Sequence, residues 1–266
     1  MIQGKTKIIT PCWEGSHIGV VTTKDDITAK DGKKRDIMVG KARLATRTTC
    51  NVFEHLNAYN IPLAYVGRDG PTTFLTRLCK MIPVEVVVRW IATGSYLKRH
   101  PDVADGTEFD EPIVEFFYKT TGGKIGDRDL LCDDPLMMER DDGSGYDLYF
   151  PDKPKRDGYI GPLGLPAAED DAIIECLGEC KGIAIDAGEQ LRHAWKGVGG
   201  TLYDYKGEFG LLPNDTIVLA DVIDCDSWRV MWEGVQLSKQ PYRDGDNLER
   251  VLGIYRLAAS LTDYMI

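Results

Sequence analysis

The sequence predicts a two-lobed fold of mixed helices and strands, with a small β-rich lobe over residues 1–81 and a larger lobe over 82–266. Three observations lead there. Short strand-like runs and one helical stripe fill the first third of the chain. The character changes at KMIPVEVVVRWI, where Pro83 breaks the chain and Val84 to Ile91 reads as a buried strand. Two amphipathic helical patterns, Glu169 to Trp195 and Leu248 to Ala259, then flank a two-stranded hairpin between Leu202 and Trp232.

Taken in order, IQGKTKIIT is a short strand that puts Lys5 and Lys7 on one side, where both can face one phosphate group. Lysines on an edge strand also guard against aggregation, so the pair alone decides little. Ile18 to Thr23 is a second strand, and DDITAKDG, with Asp26, Thr28 and Asp31, is a turn-rich loop. Ala45, Val52, Leu56 and Tyr59 recur at helical spacing, which makes 40–59 a helix. Short strands follow near 64–66 and 73–78.

In the Val84 to Ile91 run, Arg89 needs an anion. Two readings stand side by side: a phosphate held at the capped turn Thr93-Gly94-Ser95, with Lys98 and Arg99 nearby, or an internal ion pair with Glu85 or another acid. The next strand, Ile113 to Lys119, ends in a lysine. Residues 120–167 read as an irregular span, of a length that is usually functional or mobile. Gly178 and Gly182 weaken the following helix and predict a bend or break.

The hairpin turns at Pro213-Asn214-Asp215. Period-two alternation sets Asp204, Lys206 and Glu208 on one face of its first strand, and Ile217, Leu219 and Asp221 on one face of its second. Two carboxylates and a lysine can then converge. Oxygen ligands at strand ends suit Mg²⁺, which completes its shell with water and substrate phosphates; the plainer alternative is a solvated, charged hairpin.

A net charge of -10 over 266 residues argues against a nucleic-acid partner, because such binders need a basic surface. No apolar run approaches the ~20 residues that span a bilayer, so no membrane role is expected. The 7 cysteines lack zinc-type spacing and read as reduced cytoplasmic thiols. The 4 histidines are scattered without metal spacing. Walker A, GxGxxG, HRD, DFG and GxSxG patterns do not occur, which leaves acids, lysines and arginines as the chemical equipment.

GKTK at 4–7, DDITAKDG, GK at 40–41, VEVVVRWIATGSYLKR, YDYKGEFG, VLADVIDCDSWR and QPYRD together resemble the SAICAR synthetase family (phosphoribosylaminoimidazole-succinocarboxamide synthases), in the family's order and over nearly the whole chain. IATGS and ADVIDCDSWR resemble the animal-type form more than the short bacterial one. The resemblance implies an α+β fold whose two lobes clasp ATP in their cleft. It also implies ATP-dependent joining of L-aspartate to carboxyaminoimidazole ribotide (CAIR) in purine biosynthesis, with Mg²⁺, in a cytoplasmic enzyme that can associate as a homo-oligomer. Carried over by position, Lys5, Lys7, Lys80, Met81, Ile82, Lys119, Lys206 and Glu208 belong to the ATP site, and Glu208 and Asp221 to the metal. Asp31, Lys41, Arg89, Ser95, Arg229, Lys239 and Arg243 belong to the substrate pocket, and Lys206 and Asp226 to catalysis. Residues 140–168 look like an insertion, with a lid and an oligomer contact as equal readings. The alternative activity on the same fold is a small-molecule kinase.

Overall fold

In a computed structural model the described residues are 1–29, 32–120, 122–125, 127–165 and 167–265, with backbone alone for 167–171, so Asp31 lies outside them. Among these residues the chain builds an α+β fold around two antiparallel sheets. The smaller has the order Ile2–Gln3, Lys7–Pro11, Ile18–Thr23, Thr73–Arg77, Tyr65–Gly70. The larger runs Tyr159–Pro162, Tyr146–Tyr149, Leu136–Glu139, Glu108–Tyr118, Lys80–Ile91, Gly200–Leu211, Trp228–Trp232, Val235–Gln236, with Ile217–Ala220 also paired to Gly200–Leu211.

The strand Lys80–Ile91 is central because both its neighbours are long. Its Val84, Val86, Val88 and Trp90 point into the core beneath the helix Ala167–Gly197, along with Tyr205 and Phe209 of the adjacent strand. Burying side chains of this size stabilises by roughly 1.5–3 kcal/mol each. Gly188 lets the helix approach: a Cβ there would lie 2.7 Å from the Tyr205 ring and press on Trp90. Trp90 Nε1 donates to Glu189 at 2.6 Å and the Tyr205 hydroxyl donates to the Ala184 carbonyl, so helix and sheet are fastened at both rings.

The helix Lys41–Ala58 starts after Gly40, at φ 93, and Asp25 accepts from the Ala42 N–H at 2.8 Å. It packs against the last helix, Leu248–Thr262, which is capped by Asn247 accepting from the Arg250 N–H at 2.8 Å. Ala64 N donates to Leu219 O, and Leu219 N to Pro62 O, both at 2.8 Å, which ties the small sheet to the strand Ile217–Ala220.

Several local expectations are corrected. Lys5 and Lys7 do not share a strand: Lys5 sits in the bend between Ile2–Gln3 and Lys7–Pro11, closed by Gly4 N donating to Lys7 O at 2.9 Å. The segment read as a loop after Thr23 contains the hairpin Asp26–Ala29 with Lys34–Ile37, whose Ile27 and Ala29 alternate into the core. Pro83 does not break its strand, because a register shift between Glu208 and Gly210 lies across from it and its carbonyl still accepts from Lys119 N. Tyr59 is 49% exposed at the helix end, off the buried stripe.

The span 120–167 is not irregular throughout: Leu136–Glu139, Tyr146–Tyr149 and Tyr159–Pro162 extend the large sheet. Gly178 and Gly182 do not end the long helix; both face open space, and tertiary packing on the opposite stripe outweighs their low propensity. The hairpin gains a third strand, since Trp228–Trp232 returns along the first half of Gly200–Leu211.

Candidate active site

Alternation on Lys80–Ile91 sends Glu85, Val87 and Arg89 to the side opposite the long helix. Antiparallel register then assembles a charged face: Glu85 stands across from Glu208, Val87 from Lys206, and Arg89 from Asp204. Beyond these, Val87 faces Glu115 on the other neighbour and Asp204 faces Arg229. One-residue slippage in any strand would move this whole set into the core, so the hydrophobic pattern that builds the fold also fixes the site.

Arg89 is 3% exposed and its partners are Glu115, at 2.6 Å, and Asp204; Glu85 is not its counter-ion. Asp204 also accepts from Arg229, and Glu115 from Arg99, giving a continuous row Arg99–Glu115–Arg89–Asp204–Arg229. Burial opposes ionisation of Glu115, but the flanking guanidiniums of Arg89 and Arg99 hold its carboxyl below the usual range. The Arg229 guanidinium packs over Gly94, where a Cβ would lie 2.7 Å from its Cζ, and Ser95 follows at the start of a short helix.

The Arg89–Asp204–Arg229 end of this row lines a cleft of about 420 Å³. Of the expected substrate and catalytic residues, Arg89, Ser95, Lys206, Asp226, Arg229, Lys239 and Arg243 line it. Lys206 pairs with Glu85 at 2.6 Å; burial disfavours its charge, but Glu85 and Glu208 outweigh that and raise the ammonium above its ordinary value. Asp226 accepts from Lys239 at 2.9 Å and from the Tyr255 hydroxyl. Burial again works against the charge, while Lys239, Lys41 and the Tyr255 bond hold Asp226 well below the carboxylate range. Its neighbour Asp224, buried and next to that anion, is pushed up. Lys41 is buried 5.6 Å from the Tyr255 ring centre and acts on both acids from the start of its helix.

A second cluster contains Lys7 with Asp221 and Lys119 with Glu208, the latter at 2.7 Å. Burial pushes the Lys7 ammonium down to about 8, only partly offset by Glu208. Asp221 follows the strand Ile217–Ala220 with φ 65, which turns its carboxylate out of the alternation expected for that strand. Glu208 is held below its ordinary range because Lys119 and Lys206 outweigh its burial. Lys80, Met81 and Ile82 line a separate cavity of about 470 Å³, with Tyr118, Ile173 and Leu211. Lys5 is exposed near Gly32.

Glu115 and Tyr255 were not singled out by the sequence, Asp204 entered only as one of three charged residues on its strand face, and Glu85 only as a counter-ion for Arg89. An acid at an alternate position of an otherwise apolar strand, as in VEVVVR and IVEFF, is the signal that marks Glu85 and Glu115. Tyr255 carries no such signal, since its ring sits on the apolar stripe of the last helix. Among the described residues no group of three or more His, Cys, Asp or Glu side chains is arranged to hold a metal ion, and no helix is long and apolar enough to cross a membrane.

A family model described as SAICAR synthetase matches residues 1–142 and 170–253; the internal gap, 143–169, overlaps all but the first three residues of the 140–168 stretch read as an insertion. A phosphoribosylaminoimidazole-succinocarboxamide synthase of Roseiflexus castenholzii is 35% identical, with 99% of this chain and 96% of that protein aligned. Among solved structures, a SAICAR synthetase (Type-2) in complex with ADP superposes with a TM-score of 0.76 at 25% identity, covering 98% of this chain and 96% of that one. A SAICAR synthetase from Pyrococcus horikoshii OT3 gives 0.73 at 26% identity, covering 97% of each chain.

Proposed function

The chain belongs to the SAICAR synthetase family, and from that premise we infer that it joins L-aspartate to CAIR with hydrolysis of ATP to ADP and phosphate, forming SAICAR in de novo purine biosynthesis. The observation that carries this reading is the charged face itself: one strand supports a cation-rich cleft at one end and an apolar cavity at the other. We assign the apolar cavity at Lys80, Met81 and Ile82 to adenine, and Lys5, Lys7, Lys119, Lys206 and Glu208 to the phosphates. Ser95, Arg89, Arg229, Lys239 and Arg243 take the ribotide, with Lys41 behind them and Asp31 in the same role. Residues 1–81 then act as the nucleotide lobe and 82–266 as the ribotide lobe.

Chemically, a carboxylate acylates poorly because oxide is its leaving group. Its oxygen attacks the γ-phosphorus, ADP departs, and the resulting acyl phosphate is opened by the aspartate amine with loss of phosphate. Lys206, kept protonated by Glu85, balances charge on the reacting oxygens. Asp226, kept ionised, accepts hydrogen bonds from the attacking amine and orients it. Glu208 and Asp221 are hard oxygen donors balanced by Lys119 and Lys7, a set that fits a magnesium ion arriving with the nucleotide. An ion held by these two carboxylates would supply positive charge to the nucleotide phosphates. A cytoplasmic location and self-association are part of the same reading.

The test is ADP release measured with each substrate omitted. Release that requires both CAIR and L-aspartate, with a succinylated product by mass, is expected. Turnover indifferent to L-aspartate, with a stable phosphorylated product, would instead identify a small-molecule kinase.

A further inference from the structure

Arg243 reaches the cleft from the short helix Gln240–Asp244, whose 5 residues are too few to hold a helical turn in place by themselves. The start of this helix is tied to the cleft wall: Lys239 N donates to the Cys225 carbonyl at 2.8 Å and Lys239 Nζ to Asp226 at 2.9 Å. Its end, which carries Arg243, depends on Tyr242, the buried residue of the five. Arg243 itself is exposed and donates to Gln240 of its own helix at 3.3 Å, so its aim follows the backbone at Tyr242.

Tyr242 is gripped from the other end of the sequence. In the hairpin Asp26–Ala29 with Lys34–Ile37, alternation leaves Arg35 and Ile37 exposed and turns Lys34 and Asp36 toward Tyr242. Lys34 Nζ donates to the Tyr242 carbonyl at 2.7 Å and stands 4.1 Å from the centre of its ring. The Tyr242 hydroxyl donates to Asp36 at 2.8 Å and lies 3.3 Å from the Ile27 carbonyl. A cation on a carbonyl of the last turn is favourably placed, and here it adds a cation–π contact with the same residue. Ring, hydroxyl and carbonyl of Tyr242 are thus all fixed by one hairpin, which leaves the next residue little freedom.

We propose that Lys34, Asp36 and Tyr242 are positioning residues for substrate binding: they act through Arg243, setting where its guanidinium meets the phosphate of the ribotide. A guanidinium forks onto a phosphate through two parallel N–H donors, so the strength of the contact depends on the angle at which it is delivered. The proposal rests on the ribotide reading of Arg243. Lys239 is anchored independently through Asp226, and the clasp on Tyr242 therefore bears on affinity for the ribotide rather than on turnover.

Calorimetry of CAIR binding and steady-state rates, on the intact chain, test it with Lys34→Met, Tyr242→Phe and Arg243→Ala. Arg243→Ala should weaken CAIR binding about tenfold or more. Lys34→Met and Tyr242→Phe should each raise the Kd and KM for CAIR about fivefold, with kcat and the KM for ATP little changed. The deciding measurement is the double variant Lys34→Met/Arg243→Ala: its CAIR affinity should match that of Arg243→Ala alone, because the clasp has nothing left to aim. Losses that multiply would overturn the proposal, by showing that Lys34 acts on the ribotide independently of Arg243. So would CAIR affinity unchanged in both Lys34→Met and Tyr242→Phe, or a parallel fall in kcat and ATP affinity, the mark of a general structural role. CAIR that does not bind the wild type, or that binds Arg243→Ala equally well, would overturn the ribotide reading itself and this proposal with it.

Discussion

Lys7, from the small sheet, forms an ion pair with Asp221, which follows the strand Ile217–Ala220 of the large one. The contact spans most of the sequence and joins the two sheets at the proposed phosphate end of the site. Because burial lowers the Lys7 pKa from 10.5 to about 8, activity and stability should respond to pH in opposite directions. The charged form is the one disfavoured in the folded state, so its cost applies below about pH 8 and fades as pH rises toward 10.5. The kcat/KM for ATP should instead fall above about pH 8 as the ammonium is lost. Lys7→Met should abolish that limb in the rate profile and flatten the corresponding rise in denaturation midpoint; an unchanged alkaline limb would remove Lys7 from the phosphate site.

Asp204 is 4% exposed between Arg89 and Arg229. Replacing it with Asn leaves two guanidiniums facing a neutral group, and breaking a buried pair in this way costs about 3–5 kcal/mol. Urea denaturation of Asp204→Asn should show that loss, together with a raised KM for CAIR.

Arg229 faces the cleft over Gly94 and is less enclosed than Arg89. Arg229→Ala should weaken CAIR binding by about 1.5–3 kcal/mol, roughly ten- to a hundredfold, with ATP affinity little changed. Equal losses for both ligands would count against a role at the ribotide phosphate.

Tyr255→Phe removes the hydroxyl that donates to Asp226 while keeping the buried ring. Asp226 would still be held down by Lys239 and Lys41, but less far. Its depressed value contributes stability that is present above the ordinary carboxylate range and lost as pH falls through the folded value, so weakening the depression moves both the stability loss and the acid limb of kcat/KM to higher pH. Rate profiles and acid denaturation of the variant read this shift.

Gly188→Ala tests the helix–sheet contact away from the cleft. The added methyl meets Trp90 and Tyr205, and overpacking of this kind costs about 1–3 kcal/mol, against at most ~1 kcal/mol gained in helix propensity. A lower melting temperature with an unchanged KM for CAIR is the expected pair of results.

The strands and helices with strong periodicity were legible in the sequence: Ile18–Thr23, the stripe of Lys41–Ala58 and the apolar face of Ala167–Gly197 follow directly from side-chain spacing. Glycine was misleading in that last helix because propensity is a weak term once one face is packed. Pro83 was misleading because its missing donor falls opposite a register shift that only the partner strand reveals. Of the residues proposed for the site, the strand pattern pointed to Arg89 and Lys206 and the family resemblance to Asp226 and Arg229, and all four line one cleft. What they could not give was pairing: that Arg89 answers to Glu115 and Asp204 rather than Glu85 depends on which strands become neighbours, a fact set by topology.

The strand Lys80–Ile91 acts as a ruler. Ile82 lines the apolar cavity and Arg89 the charged cleft, seven residues further along one extended segment, a span of about 23 Å. The distance between the two proposed ligands is thus a property of backbone pleating, which does not stretch. Its length also has a parity: inserting or deleting one residue between Ile82 and Arg89 would turn Arg89 under the long helix and bring valine into the cleft, while two would preserve the face and shift the spacing by about 7 Å.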